Sequence, residues 1–379
     1  MKQTLKLLCL TVLFLALIDS AVALTLTWAD RSGRLGSLIR YFDYGRSVPG
    51  KLAEWQAHPG VPGNLFEVAW RQKAVMLSHE RFLAEPRDAG PVIRSYGMSF
   101  VNHILEDAVG LRPDLVWDSH AGPGAPPNYT YAMFQDDRAN RRAGDIVVLG
   151  ILSSSLPAMA AFSNRTWVFE QPAPFTYPVY QPEGDGLARI EPLVESAAQE
   201  RALATDPATR QAWIAQLSRH DAFYGFQTFG APALDASPFM RLVRRSLATS
   251  HVRQTSAAVL AGEGYPYAEV LKRIIHDFAR TARADGQLPV VMLIQSRDPA
   301  DANVLELVRA DLSAENVPYL ATAEHFDPAI RSGFLGDGHY RPEINHMFAQ
   351  EFLALLAQFR AISSDRPPPG SGARRNSTN

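Results

Sequence analysis

Two short stretches, far apart in the chain, hold side chains that could do chemistry together. In "PVIRSYGMSF" (91–100), Ser99 stands where an apolar run meets an amphipathic helix. A serine at such a joint reads in two ways. As a helix N-cap, its hydroxyl accepts an N–H two or three residues on. As a nucleophile, it needs a base to take its proton. In "GFLGDGHYRPE" (333–343), Asp337 and His339 flank Gly338 in a loop that feeds a helix. A carboxylate beside an imidazole can fix its tautomer and stabilise the imidazolium. His103 lies four residues after Ser99. That spacing stacks the two on one helix face and leaves no room for a reacting group between them, so His103 reads as a partly buried helix residue. The G-x-S-x-G pattern of α/β-hydrolases fails, because Val101 holds the place of its second glycine. His346, Glu343, Asp337 and His339 cluster only in sequence, and no metal is expected. Cys9 is the sole cysteine, which leaves no disulfide framework and no thiol nucleophile in the body.

The elements that must position these residues alternate. "PVIRSYG" reads as a strand, followed by a helix from Ser99 to about Ala108. "DLVWDS" (114–119) reads as a second strand, running into the loop "HAGPGAPPN" and a helix through Tyr131, Ala132 and Phe134. "IVVLGIL" (146–152), "LPVVMLI" (288–294) and "VPYLATA" (317–323) are further strands. Continuous apolar runs suit strands buried on both faces of a parallel sheet. A helix over "ADANVLELVRADLSAEN" separates the last two, and "RPEINHMFAQEFLALLAQF" closes the series with Pro342 in its first turn. Strands alternating with helices predict a doubly wound α/β sheet.

Between "IVVLGIL" and "LPVVMLI" the chain is far longer than a crossover needs. The stretch reads as an insertion (about 156–285) on the same sheet, with a β-hairpin turning at Glu183–Gly186 and several helices. Its aromatic runs "FTYPVY" and "YGFQTFG" could pack the hairpin or stack on sugars. Before the sheet, 26–88 reads as a helical segment, with one helix starting at Ser47 and another over Leu65–Glu85. Lys2 and Lys6 precede an apolar stretch from Leu7 to about Leu24, broken by Asp19. Residues 1–25 are thus an export signal, with Ala21-Val22-Ala23 as its cleavage site, or an uncleaved anchor. Either puts the body outside the cytoplasm, periplasmic or extracellular. The Pro/Gly/Ser-rich end, 363–379, reads as a disordered tail. Of the 379 residues, 46% are hydrophobic and 20% charged, with a formal net charge of -2. That balance suits a globular core and gives no basic field for nucleic acid.

Gly97-Met98-Ser99-Phe100, Asp337-Gly338-His339 and their order on an α/β pattern resemble the SGNH (GDSL-like) hydrolase family over about 89–362. The N-terminal apolar segment and "FDYGRSVPGKL" resemble its exported bacterial branch near polysaccharide O-acetylation proteins. The resemblance implies a flavodoxin-like three-layer α/β/α fold around a central parallel sheet. It implies Ser99 as nucleophile, His339 as base and Asp337 as its orienting acid. It also implies an oxyanion hole built from the N–H of Ser99 and a glycine N–H, Gly124 rather than Gly122. The family's Asp before the serine is Met98 here, and no Asn follows the third strand. Ser153, Ser154 or Ser155 would donate in its place, Ser154 foremost, or Asn128 from the earlier loop.

The function so implied is an exported serine esterase or O-acyltransferase that needs no cofactor. It would act on acyl, chiefly acetyl, esters of carbohydrate or other small esters, with envelope polysaccharide-modification proteins as partners. The departures at Met98 and at the missing Asn leave a second expectation, a non-catalytic carbohydrate-binding or scaffold protein of a cell-envelope assembly.

Overall fold

The computed structural model describes residues 2–38, 57, 70, 91–170, 174–229 and 236–359. The expected helix at Ser47, all of the helix over Leu65–Glu85 except Trp70, and the tail at 363–379 lie outside the described residues. The chain divides into two compact units. One comprises 1–70, 160–177 and 192–264. The other comprises 71–159, 178–191 and 265–379. The expected insertion is therefore shared. Its first residues (156–159), its hairpin and its last helix belong with the sheet, and 160–177 and 192–264 belong with the N-terminal segment.

The sheet unit holds strands β1 (Val92–Gly97), β2 (Val116–Ala121) and β3 (Ile146–Leu152), the hairpin β4 (Val179–Glu183) and β5 (Gly186–Ile190), then β6 (Leu288–Ile294) and β7 (Tyr319–Ala321). Five of these form one parallel sheet in the order β2-β1-β3-β6-β7. β3 is buried at every residue, which is why its sequence shows no alternation. The hairpin turns where the sequence places it. β2 runs two residues further than expected, through His120 and Ala121. Histidine reads as a loop residue, but this one is 2% exposed and its Nε2 lies 2.8 Å from an Asp118 oxygen. The last strand is shorter than expected, because a short helix starts at Thr322.

Helix α1 is Lys2–Arg31. The sheet unit carries α2 (Ser99–Leu111) and α3 (Pro127–Asp136). The other unit carries α4 (Pro207–His220) and α5 (Pro238–Leu260). The sheet unit then continues with α6 (Tyr267–Ala284), α7 (Val304–Ala314) and α8 (Pro342–Gln358). Adjacent residues of a strand point to opposite faces. Tyr96 stacks edge-on against Phe134 of α3, and its hydroxyl donates to Asp137 at 2.5 Å. Gly97 instead faces Val101 of α2. Helices α2 and α3 therefore flank opposite faces of the sheet.

Under α3, Arg94 is 1% exposed and ties strand β2, the end of α3 and the residue before β3 together. Its Nε lies 3.2 Å from Asp145, and its Nη1 lies 3.2 Å from Asp118 and 3.6 Å from Asp137. Burying this many charges is tolerable only because each faces a partner.

In the other unit, Asp221 is buried. It accepts the backbone N–H groups of Phe162 and Phe223 and the hydroxyl of Thr166, each at 2.9 Å. Phe175 and Tyr177 of "FTYPVY" are buried here, as Val179 and Tyr180 are in the sheet unit. These aromatics pack; they do not present faces to a sugar.

Candidate active site

In a parallel sheet of this order, β1 and β3 are neighbours whose chain exits leave on opposite sides. Ligands bind such sheets at the carboxyl ends of the strands beside that reversal. Ser99 follows β1, Gly122–Gly124 follow β2, and Ser153–Ser155 follow β3. All the candidate side chains on this part of the fold thus gather at one end of three adjacent strands.

Two glycines seat Ser99. A Cβ on Gly150 of β3 would lie 2.6 Å from Val101 Cγ2 and 3.1 Å from the Cα of Gly97. A Cβ on Gly97 would meet Val101 at 3.0–3.2 Å. Val101 therefore sinks between the two strands, and the first turn of α2 sits directly on the sheet. The residue that caps α2 is Met98, which has extended backbone and offers no side-chain hydrogen bond. Ser99 is the first helical residue, so the cap reading of Ser99 is corrected. A cap needs the non-helical backbone that Met98 has taken. The Ser99 hydroxyl is instead 2.6 Å from His339 Nε2.

The His339 loop is built for one conformation. Phe334 and Tyr340 pair as an antiparallel bridge, and their rings stack at 4.9 Å. Leu335 N–H donates to the His339 carbonyl at 2.7 Å, and Gly338 N–H to the Leu335 carbonyl at 3.1 Å. Gly338 has φ +98, a left-handed value that L side chains resist. That turn brings Asp337 back onto His339. One carboxylate oxygen accepts the His339 backbone N–H at 3.1 Å, and the other lies 3.1 Å from Nδ1. Burial pushes Asp337 up, but the hydrogen bonds from His339 and its charge outweigh this and hold the carboxyl below its ordinary value. The carboxylate is 56% exposed, so its worth is mainly orientation.

Three further residues pack around this loop, of which Arg297 carries no signal in the sequence. The Phe100 ring is 4.7 Å from the His339 ring. Arg297, just past β6, donates to the carbonyls of Leu335 (3.0 Å) and Gly336 (3.3 Å) and fastens the loop. His103 sits 5.1 Å from His339, ring to ring. Burial first, and then His339, lower its pKa. The i+4 spacing that removes His103 as a partner for Ser99 is what lets it line the base. His346 lies exposed on α8, 3.3 Å from Gln350.

The oxyanion candidates separate by what they already bind. Gly122 N–H donates to the Gly97 carbonyl at 3.1 Å. Gly124, at φ +58, stands in open space with its N–H in none of the described hydrogen bonds. Ser153 Oγ accepts Ser296 N–H at 2.8 Å, and Ser155 Oγ donates to the carbonyls of Leu152 (3.0 Å) and Ala125 (3.2 Å). Ser154 is half-buried, and its hydroxyl has no partner among the described residues. Asn128 is fully buried, with its amide nitrogen 2.8 Å from the Met159 carbonyl. Ser99 N–H, in the first turn of α2, has no intrahelical acceptor.

Together the groups make a hydroxyl that a neutral imidazole can deprotonate. Uncommitted donors leave the ends of the same three strands. No protein-family model, no curated protein and no solved structure matches the chain.

Proposed function

We propose that the chain is a serine esterase or O-acyltransferase of SGNH type. Acting outside the cytoplasm, it would take acyl esters of carbohydrate or similar small esters. The observation that carries this reading is the line from Ser99 Oγ to His339 Nε2 (2.6 Å) and from Nδ1 to Asp337 (3.1 Å). A solvent-side serine at the carboxyl end of a parallel strand rarely meets an oriented imidazole without a use for it.

Ser99 Oγ attacks the acyl carbonyl while His339 takes its proton. The carbonyl electrons move to oxygen. The N–H groups of Ser99 and Gly124 and the hydroxyl of Ser154 receive that charge, which the N-terminus of α2 also favours. The tetrahedral species collapses, His339 returns the proton to the leaving alcohol, and the acyl group stays on Ser99. Water or a sugar hydroxyl, deprotonated by His339, then takes the acyl group and frees Ser99. A hydroxyl supplies one donor where an amide supplies two. Ser154 can therefore fill the place of the absent Asn for a single oxyanion contact.

A fluorophosphonate probe tests the reading. Ser99 should be modified, and labelling should disappear in both Ser99→Ala and His339→Ala. A folded chain that neither labels nor cleaves p-nitrophenyl acetate would overturn it, in favour of a carbohydrate-binding scaffold.

A further inference from the structure

Asp19 is the one feature of the N-terminal stretch that neither export nor the proposed chemistry explains. It interrupts a run that is otherwise apolar enough to cross a bilayer, and a carboxylate there is costly. The structure gives it a partner. Asp19 Oδ1 accepts the hydroxyl of Ser237 at 2.6 Å and the backbone N–H of Phe239 at 2.9 Å. These are the N-cap and an early residue of α5. Asp19 thus caps a helix more than two hundred residues away, where a negative group is favoured and the N–H groups lack partners.

The helix around Asp19 changes character along its length. Leu5, Leu7, Leu8, Leu10, Leu13 and Phe14 are 56–66% exposed on all sides of it. From Ile18 onward one face is half-buried: Ile18, Asp19, Val22, Ala23, Leu26 and Ala29. Their spacing of three and four is that of a single packed stripe, and α1 packs on α5. Thr11, in the part before Ile18, donates to the Leu7 carbonyl at 2.9 Å, so its hydroxyl is satisfied within the helix, as a segment without water requires. Ala21-Val22-Ala23, the small-residue stretch a peptidase would need accessible, is helical, and two of its three residues are half-buried.

We propose that this helix is not removed on export. It stays as the bilayer anchor of the mature chain, latched to the body by Asp19 on the N-terminus of α5. Its first part, up to Ile18, sits in lipid, with Lys2 and Lys6 reaching the cytoplasmic headgroups. Its last part belongs to the folded body. The inference does not depend on the chemistry at Ser99.

Cys9 makes the test direct, because it is the only cysteine and lies in the lipid part. The full chain, exported in a bacterial host and recovered from carbonate-washed membranes, should titrate one thiol after denaturation and keep its full-length mass. A soluble chain that starts at Leu24 and titrates no thiol would overturn the proposal. Trypsin reads the latch in detergent. Cutting at Arg31 and Arg34 should be at least tenfold faster in Asp19→Ala than in the wild type. Asp19→Asn, which keeps the acceptor, should behave as the wild type. Equal rates in Asp19→Ala and the wild type would overturn the latch.

Discussion

Gly150→Ala puts the seating of Ser99 at risk without touching any group proposed to react. The new Cβ would lie 2.6 Å from Val101 Cγ2, where an ordinary contact begins at 3.4 Å. The gap must open by about 0.8 Å. β3 is buried at every residue and hydrogen-bonded on both sides, and the second obstacle is the backbone of Gly97. The first turn of α2, two residues before Val101, is therefore what moves. The His339 backbone has holds outside α2 as well, in Arg297 and in the Phe334–Tyr340 bridge, so it does not follow the shift in full. The Ser99–His339 distance should open by up to that amount. A misplacement of about 1 Å costs on the order of 10²-fold in rate, and overpacking costs roughly 1–3 kcal/mol. The rate of fluorophosphonate labelling reads the first effect, and thermal unfolding the second, as a fall of about 3–10 °C. Val101→Ala in the same chain removes the 2.6 Å contact and should restore most of the labelling rate. Gly150→Ala with wild-type labelling and wild-type melting would refute the idea that these two glycines set the position of Ser99.

Asp337→Asn should slow labelling by about 10²–10⁴-fold with little change in melting, because it removes tautomer control from an exposed loop; a wild-type rate would show that His339 needs no orienting group. Ser154→Ala should slow it by about 10²-fold or more, measured beside Ser155→Ala, whose hydroxyl is already committed. Arg94→Ala leaves Asp118, Asp137 and Asp145 buried without their shared cation, and should cost about 3–5 kcal/mol in urea denaturation. Burial pushes the Asp221 carboxyl up to about 7. Its folded pKa lies above the unfolded value of 3.8, so the stability it contributes is full below pH 4 and lost as pH rises through 7. The stability of the wild type relative to Asp221→Asn should therefore fall across that window, by up to about 4 kcal/mol, and a pH-independent difference would refute the assignment.

What was legible in the sequence followed from period and punctuation. β3 and β6 were plain because strands buried on both faces carry no polar residues to blur them. The hairpin was plain because Gly184 and Gly186 bracket its turn. The end of β2 was hidden, because His120 looks polar on paper while in the fold it is buried, beside Asp118 and stacked on Tyr96. The pairing of Ser99 with the Asp337–His339 loop rested on order and residue type, and the distances agree with it. The residues that hold the pair were invisible. Arg297 is an ordinary arginine past a strand end, and its two carbonyl acceptors are some forty residues on. Gly150 reads as one more residue of an apolar run until Val101 is seen against it. The partner of Asp19 could not be read from either end of the chain, since neither residue signals the other.

The long separation of Ser99 from its base is a consequence of strand order. β1 lies second in the sheet and β7 lies at the far edge, so a loop leaving β7 must travel back past β6 and β3 to reach Ser99. A free loop of that span would not hold a hydrogen bond of 2.6 Å. This one is fastened along its way. The Tyr340 hydroxyl bonds to the Gln295 carbonyl at the exit of β6 and to Thr322 Oγ1 after β7. Arg297 grips the loop backbone at Leu335 and Gly336. Helix α8, which the loop feeds, packs against α2, which carries Ser99. The base and the nucleophile are thus positioned by one helix pair and one strand exit. A change anywhere in that chain of contacts acts on the Ser99–His339 distance before it acts on either residue.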